Sequence, residues 1–300
     1  MICGPTGSGK TGLAIDLARR LDGEIVGADS MQIYRYMDIG TAKPTPAEQA
    51  SAVHHMIDIV DPDEAFDAAM YAEAAGLAVR DIISRGRLPL VVGGTGFYIK
   101  ALIYGLFEEG PSDPDIRRQL NREAQEKGSP ALHRQLAAVD HQAADRIHPN
   151  DTYRIVRALE VFRMTGQPLS QYQQRHSFHQ PQFNPFTFGI TWPRPILYDR
   201  INRRVDLMMA EGFEEEVRVL LAKGYGRQLK SMQSLGYRHL AAFIAGEASI
   251  EETVQILKRD HRRYAKRQLT WFRSNPQIHW TTPENPEDAV AQIQTFLVQQ

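Results

Sequence analysis

The chain has a single cysteine, Cys3, in 300 residues. That excludes an intrachain disulfide and any zinc site built from several cysteines. Cys3 follows Ile2 in a short apolar strand and reads as a small buried hydrophobe. No apolar run approaches the ~20 residues that span a bilayer. No basic-then-apolar leader opens the chain either, so a cytoplasmic protein with no membrane partner is expected. The 10 histidines show no metal-ligand spacing. His54 and His55 are neighbours and would point to opposite sides of a strand. Neither sign of charge dominates: 35 Lys and Arg face 36 Asp and Glu, a net charge of −1. A polyanion would have to be met by a local basic patch. Repeats and low-complexity segments are missing. Hydrophobic residues make up 42%, ample for one large or two small globular domains.

The strongest signal present is Gly4-Pro5-Thr6-Gly7-Ser8-Gly9-Lys10-Thr11. It has the form G-x-x-x-x-G-K-T, a loop whose N–H groups converge on a phosphate. An amphipathic run from Leu13 to Leu21 follows, so a helix N-terminus adds its partial positive charge. Lys10 supplies a point charge for the outer phosphate oxygens, and the Thr11 hydroxyl suits Mg²⁺. Only three residues precede the loop. Either residues are missing from the N-terminus or the start is assigned late.

Apolar strands are expected at Glu24–Ala28, His54–Val60, Leu88–Val92, Phe186–Trp192 and Ile278–Thr281. Helices alternate with them at Thr11–Arg20, Asp67–Arg85 and after Gly96. Thr41 to Pro46 reads as a Pro-marked loop. The alternation gives an α/β fold, a doubly wound parallel sheet of the P-loop NTPase-like kind. From Pro111 the pattern changes to helices alone, the best being Asp115–Lys127, Pro130–Val139 and Asp151–Thr165. Polar Ser177–Pro185 closes this part. We therefore expect a core of residues 1–112 and 182–300 and an all-helical insertion domain at 113–181. Long helices are expected at Ile196–Lys223, Leu235–Ala245 and Ser249–Gln268.

Asp29 lies just past the end of the second strand, where ligands bind in such sheets. A nucleotide hydrolase usually has an aspartate after a later apolar strand. Here Leu88–Val92 runs into Gly93-Gly94-Thr95 instead, which leaves a small kinase or a transferase using some other diphosphate. Between Lys258 and Arg273, positions 258, 259, 262, 263, 266, 267 and 273 are basic, against one acid, Asp260. Val254, Leu257, Tyr264 and Ala265 would take the apolar face. The basic face is either solvated or, with its aromatics, an RNA-binding surface.

The chain resembles the tRNA dimethylallyltransferase family, also called tRNA isopentenyltransferases. The resemblance rests on G-P-T-G-S-G-K-T, D-S-M-Q-I-Y, the G-G-T after an apolar strand, S-D-P, H-P-N-D-T-Y-R-I-V-R-A-L-E-V, S-L-G-Y-R and K-R-Q-L-T-W-F-R, in that order from Gly4 to Arg273. It implies transfer of a dimethylallyl group from dimethylallyl diphosphate to the exocyclic amine of the adenine immediately 3′ of the anticodon, in tRNAs reading codons that begin with U. It implies Mg²⁺ held through Thr11, and a diphosphate bound by residues 4–11 with Arg200 or Arg204, four apart on one helix face. Asp29 is either the general base or a Mg²⁺ ligand through water, and Thr95 hydrogen-bonds the base or the carboxylate. The tRNA anticodon stem-loop would be gripped by Asp29, Ser30, Met31, Gln32 and Thr95, and by Asp113, Tyr153, Arg154 and Arg157 of the insertion. Gln233, Gly236, Tyr237, Arg238, Lys266, Arg267, Gln268, Trp271 and Arg273 complete that set. The expected state is a monomer. An adenylate isopentenyltransferase, a small-molecule kinase and a non-catalytic RNA-binding ATPase are the alternatives. The first needs neither the insertion nor the basic helix.

Overall fold

The computed structural model describes residues 1–106, 113–176, 181–284 and 286–299. Pro111 and Ser112 of the S-D-P motif, the expected boundary at 112 and Ser177–Gln180 of the closing stretch lie outside them. The chain forms two compact units, residues 1–103 with 183–300, and residues 104–182.

The first unit opens with β1 (Ile2–Cys3), the phosphate loop and α1 (Lys10–Arg20). There follow β2 (Gly23–Ala28), α2 (Pro46–Ser51), β3 (His54–His55), α3 (Ala68–Ser84), β4 (Leu88–Gly93) and α4 (Gly96–Tyr104). The second unit holds α5 (Pro114–Lys127), α6 (Ser129–Val139), α7 (His141–Arg146), α8 (Thr152–Thr165) and α9 (Leu169–His176). The chain returns as β5 (Phe188–Ile190), α10 (Arg194–Ala210), α11 (Phe213–Ala222), α12 (Tyr237–Ile244), α13 (Ile250–Arg273), β6 (His279–Thr281) and α14 (Pro286–Val298).

The sheet has order β3-β2-β4-β1-β5-β6, and every pairing is parallel. The central strands β4, β1 and β5 read as near-continuous apolar runs because both faces are covered. Ile2, Ile25, Leu90, Val92, Phe188 and Ile190 pack against Leu13 and Leu17 of α1 and Ile293 of α14. β1 and β2 are consecutive in the chain yet separated by β4, so β1, β2 and β4 end together over one crevice. The second unit has its own core of Leu120, Leu132, Leu136, Ile155, Val156 and Leu159. Arg117 and Arg157 bond the buried Glu160 inside it, at 2.8 and 2.9 Å.

Three expected elements differ. The strand expected over His54–Val60 stops at His55, because Met56 and Asp58 take positive φ of 66° and 54°. Only an isolated parallel bridge, Tyr34 to Val60, continues that edge. The helix expected over Ile196–Lys223 is broken at Gly212, whose φ of 97° no helix continues through. The loop at Thr41–Pro46 leads into α2, capped by a reciprocal Thr45–Glu48 box with Pro46 in the first turn.

Candidate active site

The phosphate loop bends through positive φ at Gly7 and Gly9, 77° and 96°. α1 begins without a side-chain cap and without an acid in its first turn, so its leading N–H groups stay open to an anion. The buried Ser8 hydroxyl has no hydrogen-bond partner either. Trp192 holds the loop from outside, its Nε1 donating to the Ser8 carbonyl at 3.0 Å. Lys10 Nζ donates to the Pro5 carbonyl at 2.7 Å.

The loop opens on a cavity of about 290 Å³. Thr6, Lys10, Thr11, Asp29, Arg204, His261 and Tyr264 line it, with apolar Ala14, Ile25, Ile57 and Val92. Asp29 closes a small turn at the end of β2: its Oδ1 accepts from the Met31 and Gln32 N–H groups at 2.8 and 3.4 Å. The Ser30 N–H donates to Thr95 Oγ1 at 3.1 Å, so the ends of β2 and β4 are tied together. Burial, with the Arg204 guanidinium beside it, lowers the Lys10 pKa to about 8. Burial also lowers the Arg204 pKa, against the pull of Asp29, and Arg204 Nε is buried without a partner. Burial first, then Arg204, pushes His261 down to about 3. The cavity therefore gathers two basic side chains, a carboxylate that acts on both electrostatically, and a partly apolar wall. Such a lining suits an anion that carries an apolar group.

The comparisons with known proteins now bear on it. The family model described as IPP transferase matches residues 32–275. A tRNA dimethylallyltransferase of Desulfosudis oleivorans is 55% identical over 280 residues, 93% of this chain and 89% of that protein. Another, from Syntrophobacter fumaroxidans, is 53% identical over 98% of this chain and 86% of its own length. The chain belongs to the tRNA dimethylallyltransferase (IPP transferase) family. A solved full-length tRNA isopentenylpyrophosphate transferase from Bacillus halodurans is similar at 40% identity, TM-score 0.72, over 99% of this chain and 94% of that one. A eukaryotic dimethylallyltransferase acting on tRNA is similar at 26% identity with a TM-score of 0.85, over 100% of this chain and 79% of that one. The parallel sheet with a helical insertion is the architecture of this dimethylallyltransferase family.

The structure sorts the residues expected from the sequence. Of the two arginines, Arg204 lines the cavity. Arg200 sits outside it, stacked 5.1 Å over Trp192 with its Nε donating to the Gly7 carbonyl at 2.9 Å. Ser30, Met31 and Gln32 line the cavity, but Gln32 Nε2 is spent on the Thr41 and Ala42 carbonyls at 3.2 and 3.0 Å. Gln268, expected at the RNA surface, is turned inward and bonded at both ends within the protein. Tyr237 is buried, its hydroxyl donating to Glu216 at 2.6 Å. Gly236 is buried against Phe213, where a Cβ would meet the ring at 2.7 Å. Gln233, exposed, donates to the Arg227 carbonyl at 2.5 Å, and exposed Arg238 pairs with Asp260. Lys266, Arg267, Trp271 and Arg273 are exposed.

In the second unit, Asp113 caps α5 by accepting from the Asp115 and Ile116 N–H groups. Arg154 pairs with Asp151, and Tyr153 is 79% exposed on α8. A small recess of about 40 Å³ there is lined by Arg117, Asn121, Tyr153, Val156 and Arg157.

Sequence reasoning missed Glu216. Its carboxylate accepts from the backbone N–H groups of Asp38, Ile39 and Gly40 at 2.9, 2.7 and 3.1 Å, fixing the loop that forms the cavity wall at Gly40 to Ala42. In the sequence it is one of three consecutive acids at a helix start, and nothing local marks its distant partners. His261 and Tyr264 were also missed as cavity residues. They sit on a helix face that period alone assigns to the core.

Proposed function

We propose that this chain transfers the dimethylallyl group of dimethylallyl diphosphate to the exocyclic amine of the adenine immediately 3′ of the anticodon, in tRNAs that read codons beginning with U. One observation supports the reading: Lys10, Thr11 of the open first turn of α1, Arg204 and Asp29 all line a single cavity. The names of the relatives, tRNA dimethylallyltransferases throughout, support it.

In the reaction the bond from the allylic carbon to the diphosphate oxygen breaks, and a bond from that carbon to the adenine nitrogen forms. Negative charge builds on the leaving diphosphate, and fixed donors aimed at it lower the barrier most. The open N–H groups of α1, Lys10 and Arg204 are those donors. An adenine amine is a weak nucleophile, because its lone pair is delocalised into the ring. Asp29 accepts its hydrogen bond and takes the proton as the new bond forms. The two N–H groups on Oδ1 hold the carboxylate in place, and Thr95 fixes the turn behind it. The adenine must leave the anticodon-loop stack first, at a cost of a few kcal/mol. Exposed Lys266, Arg267 and Trp271 are suited to grip the neighbouring nucleotides.

Mg²⁺ fits this site as a partner of the substrate. Among the described residues no group of three His, Cys, Asp or Glu could hold a metal. The Thr11 hydroxyl lines the cavity, and Mg²⁺ commonly takes one or two protein oxygens, substrate phosphate oxygens and waters. Bound there through Thr11, it would neutralise charge on the departing diphosphate.

The test is mass spectrometry of nucleosides from tRNA incubated with the protein, Mg²⁺ and dimethylallyl diphosphate. Isopentenyladenosine next to the anticodon is the expected product. Prenylation of free adenylate with tRNA untouched, or ATP turnover without prenylation, would replace this reading with one of its rivals.

A further inference from the structure

We propose that Gln268 is a positioning residue that holds the phosphate loop against the end of β4. On the reading above, it keeps the diphosphate in register with Asp29 and Thr95.

Gln268 is 7% exposed, on the inner face of a helix whose neighbouring residues, Lys266 and Arg267, are exposed cations. Its Oε1 accepts from the Thr6 N–H at 2.9 Å. Its Nε2 donates to the Gly94 carbonyl, also at 2.9 Å. The amide thus spans two strand ends that come from distant parts of the chain. One bears the phosphate loop and the other bears Thr95. A buried primary amide has one acceptor end and one donor end, and this site uses each once. The Thr6 N–H is therefore committed to Gln268, although Thr6 itself lines the cavity.

Gly94 is shaped to this contact. A Cβ there would lie 2.2 Å from Gln268 Nε2. Gly96, two residues on, is covered in the same way by Trp271, whose Nε1 would meet a Cβ at 2.1 Å. Between them Thr95 Oγ1 accepts from the Ser30 N–H at 3.1 Å. α13 thus covers Gly94 and Gly96, on either side of Thr95, through Gln268 and Trp271. The absence of side chains at both glycines lets the helix approach closely enough for a two-carbon amide to bridge to Thr6. Removing the bridge frees the loop to shift relative to Thr95, and misplacement of about 1 Å can cost on the order of 10²-fold in rate.

Two measurements test the role. In threonine-labelled, ligand-free protein, NMR should show the Thr6 amide protected from hydrogen exchange, and Gln268→Ala should abolish that protection. Steady-state kinetics should show Gln268→Ala raising KM for dimethylallyl diphosphate and lowering kcat, each by roughly tenfold, with tRNA affinity within about twofold of the parent. Gln268→Glu supplies the diagnostic. Its carboxylate can accept from Thr6 but has no proton for the Gly94 carbonyl, whereas the protonated form can do both. Burial raises a carboxyl pKa, so its activity relative to the parent should recover as pH falls from about 8 to about 6. Gln268→Ala has no proton to gain, and its deficit should stay flat.

A parent Thr6 amide exchanging at the open-chain rate would overturn the proposal without any variant. So would unchanged kinetics for the diphosphate with weakened tRNA binding, which would return Gln268 to the RNA surface. Parallel flat deficits in both variants, accompanied only by a lower Tm, would reduce it to a packing residue. If the parent itself prenylates no tRNA, the functional reading fails while the exchange experiment still decides the bridge.

Discussion

Asp29 and Lys10 carry the residue-scale predictions. Asp29→Asn keeps an oxygen for the Met31 and Gln32 N–H groups, so the turn should survive. It cannot take a proton. The single-turnover rate should fall by about 10²–10⁴-fold, the usual range for a lost general base, with both substrates still bound. If excess Mg²⁺ restores the rate, Asp29 acts through the metal instead. Lys10, with its pKa lowered to about 8 by burial and Arg204, makes diphosphate binding pH-dependent. Only the ammonium form attracts the anion, and a bound anion raises its pKa again. Above pH 8 binding must therefore take up a proton, and affinity should fall by up to about tenfold per pH unit. Below pH 8 this term is flat. Calorimetry of dimethylallyl diphosphate binding in buffers of different ionisation enthalpy will count the proton. An uptake of zero at pH 9 would remove Lys10 from this account.

At the scale of elements, α13 does two things with two faces. Its inner face places His261, Tyr264 and Gln268 on the cavity and the strand ends. Its outer face presents Arg259, Arg263, Lys266, Arg267 and Arg273, whereas Lys258 and Arg262, expected there too, turn to Asp206 and Asn202 of α10. Apolar period correctly located the helix and Leu257 and Ala265 as its buried side. It could not show that His261 and Gln268 are buried too, because polar residues enter a helix's inner face only where that face meets a cavity or a partner group. Arg267 lies on the outer face, 5.7 Å over the Tyr264 ring. Arg267→Ala should weaken tRNA binding and flatten the slope of log affinity against log salt by about one contact. An unchanged slope would make it a packing residue. α10 and α11 illustrate the opposite limit: a continuous amphipathic pattern concealed the turn that Gly212 makes between them.

For the whole molecule, the helical unit of residues 104–182 has a core of its own. Its boundary falls at Tyr104, ahead of the composition change at Pro111 that marks it in the sequence. We propose that it serves the tRNA and not the diphosphate. Replacing residues 113–180 by a short Gly/Ser linker should leave dimethylallyl diphosphate binding measurable by calorimetry and abolish tRNA modification. A folded, shortened protein that still modifies tRNA at the parent rate would refute that division.

The sequence determined what is local or periodic. A phosphate loop is a contiguous motif, parallel strands are contiguous apolar runs, and a strand-end acid such as Asp29 follows from its neighbours in the chain. Six further motifs in order then pointed to the family. What only the tertiary structure decided is which side chains share a space. Arg200 and Arg204 are equivalent by spacing, and the packing of α10 puts one in the cavity and the other on Trp192. Glu216 and Gln268 have partners at sequence separations of 176 to 178 and of 174 and 262. Bonds across such distances form only after the sheet has brought its strand ends together, and the residues on either side of each partner hold no trace of them.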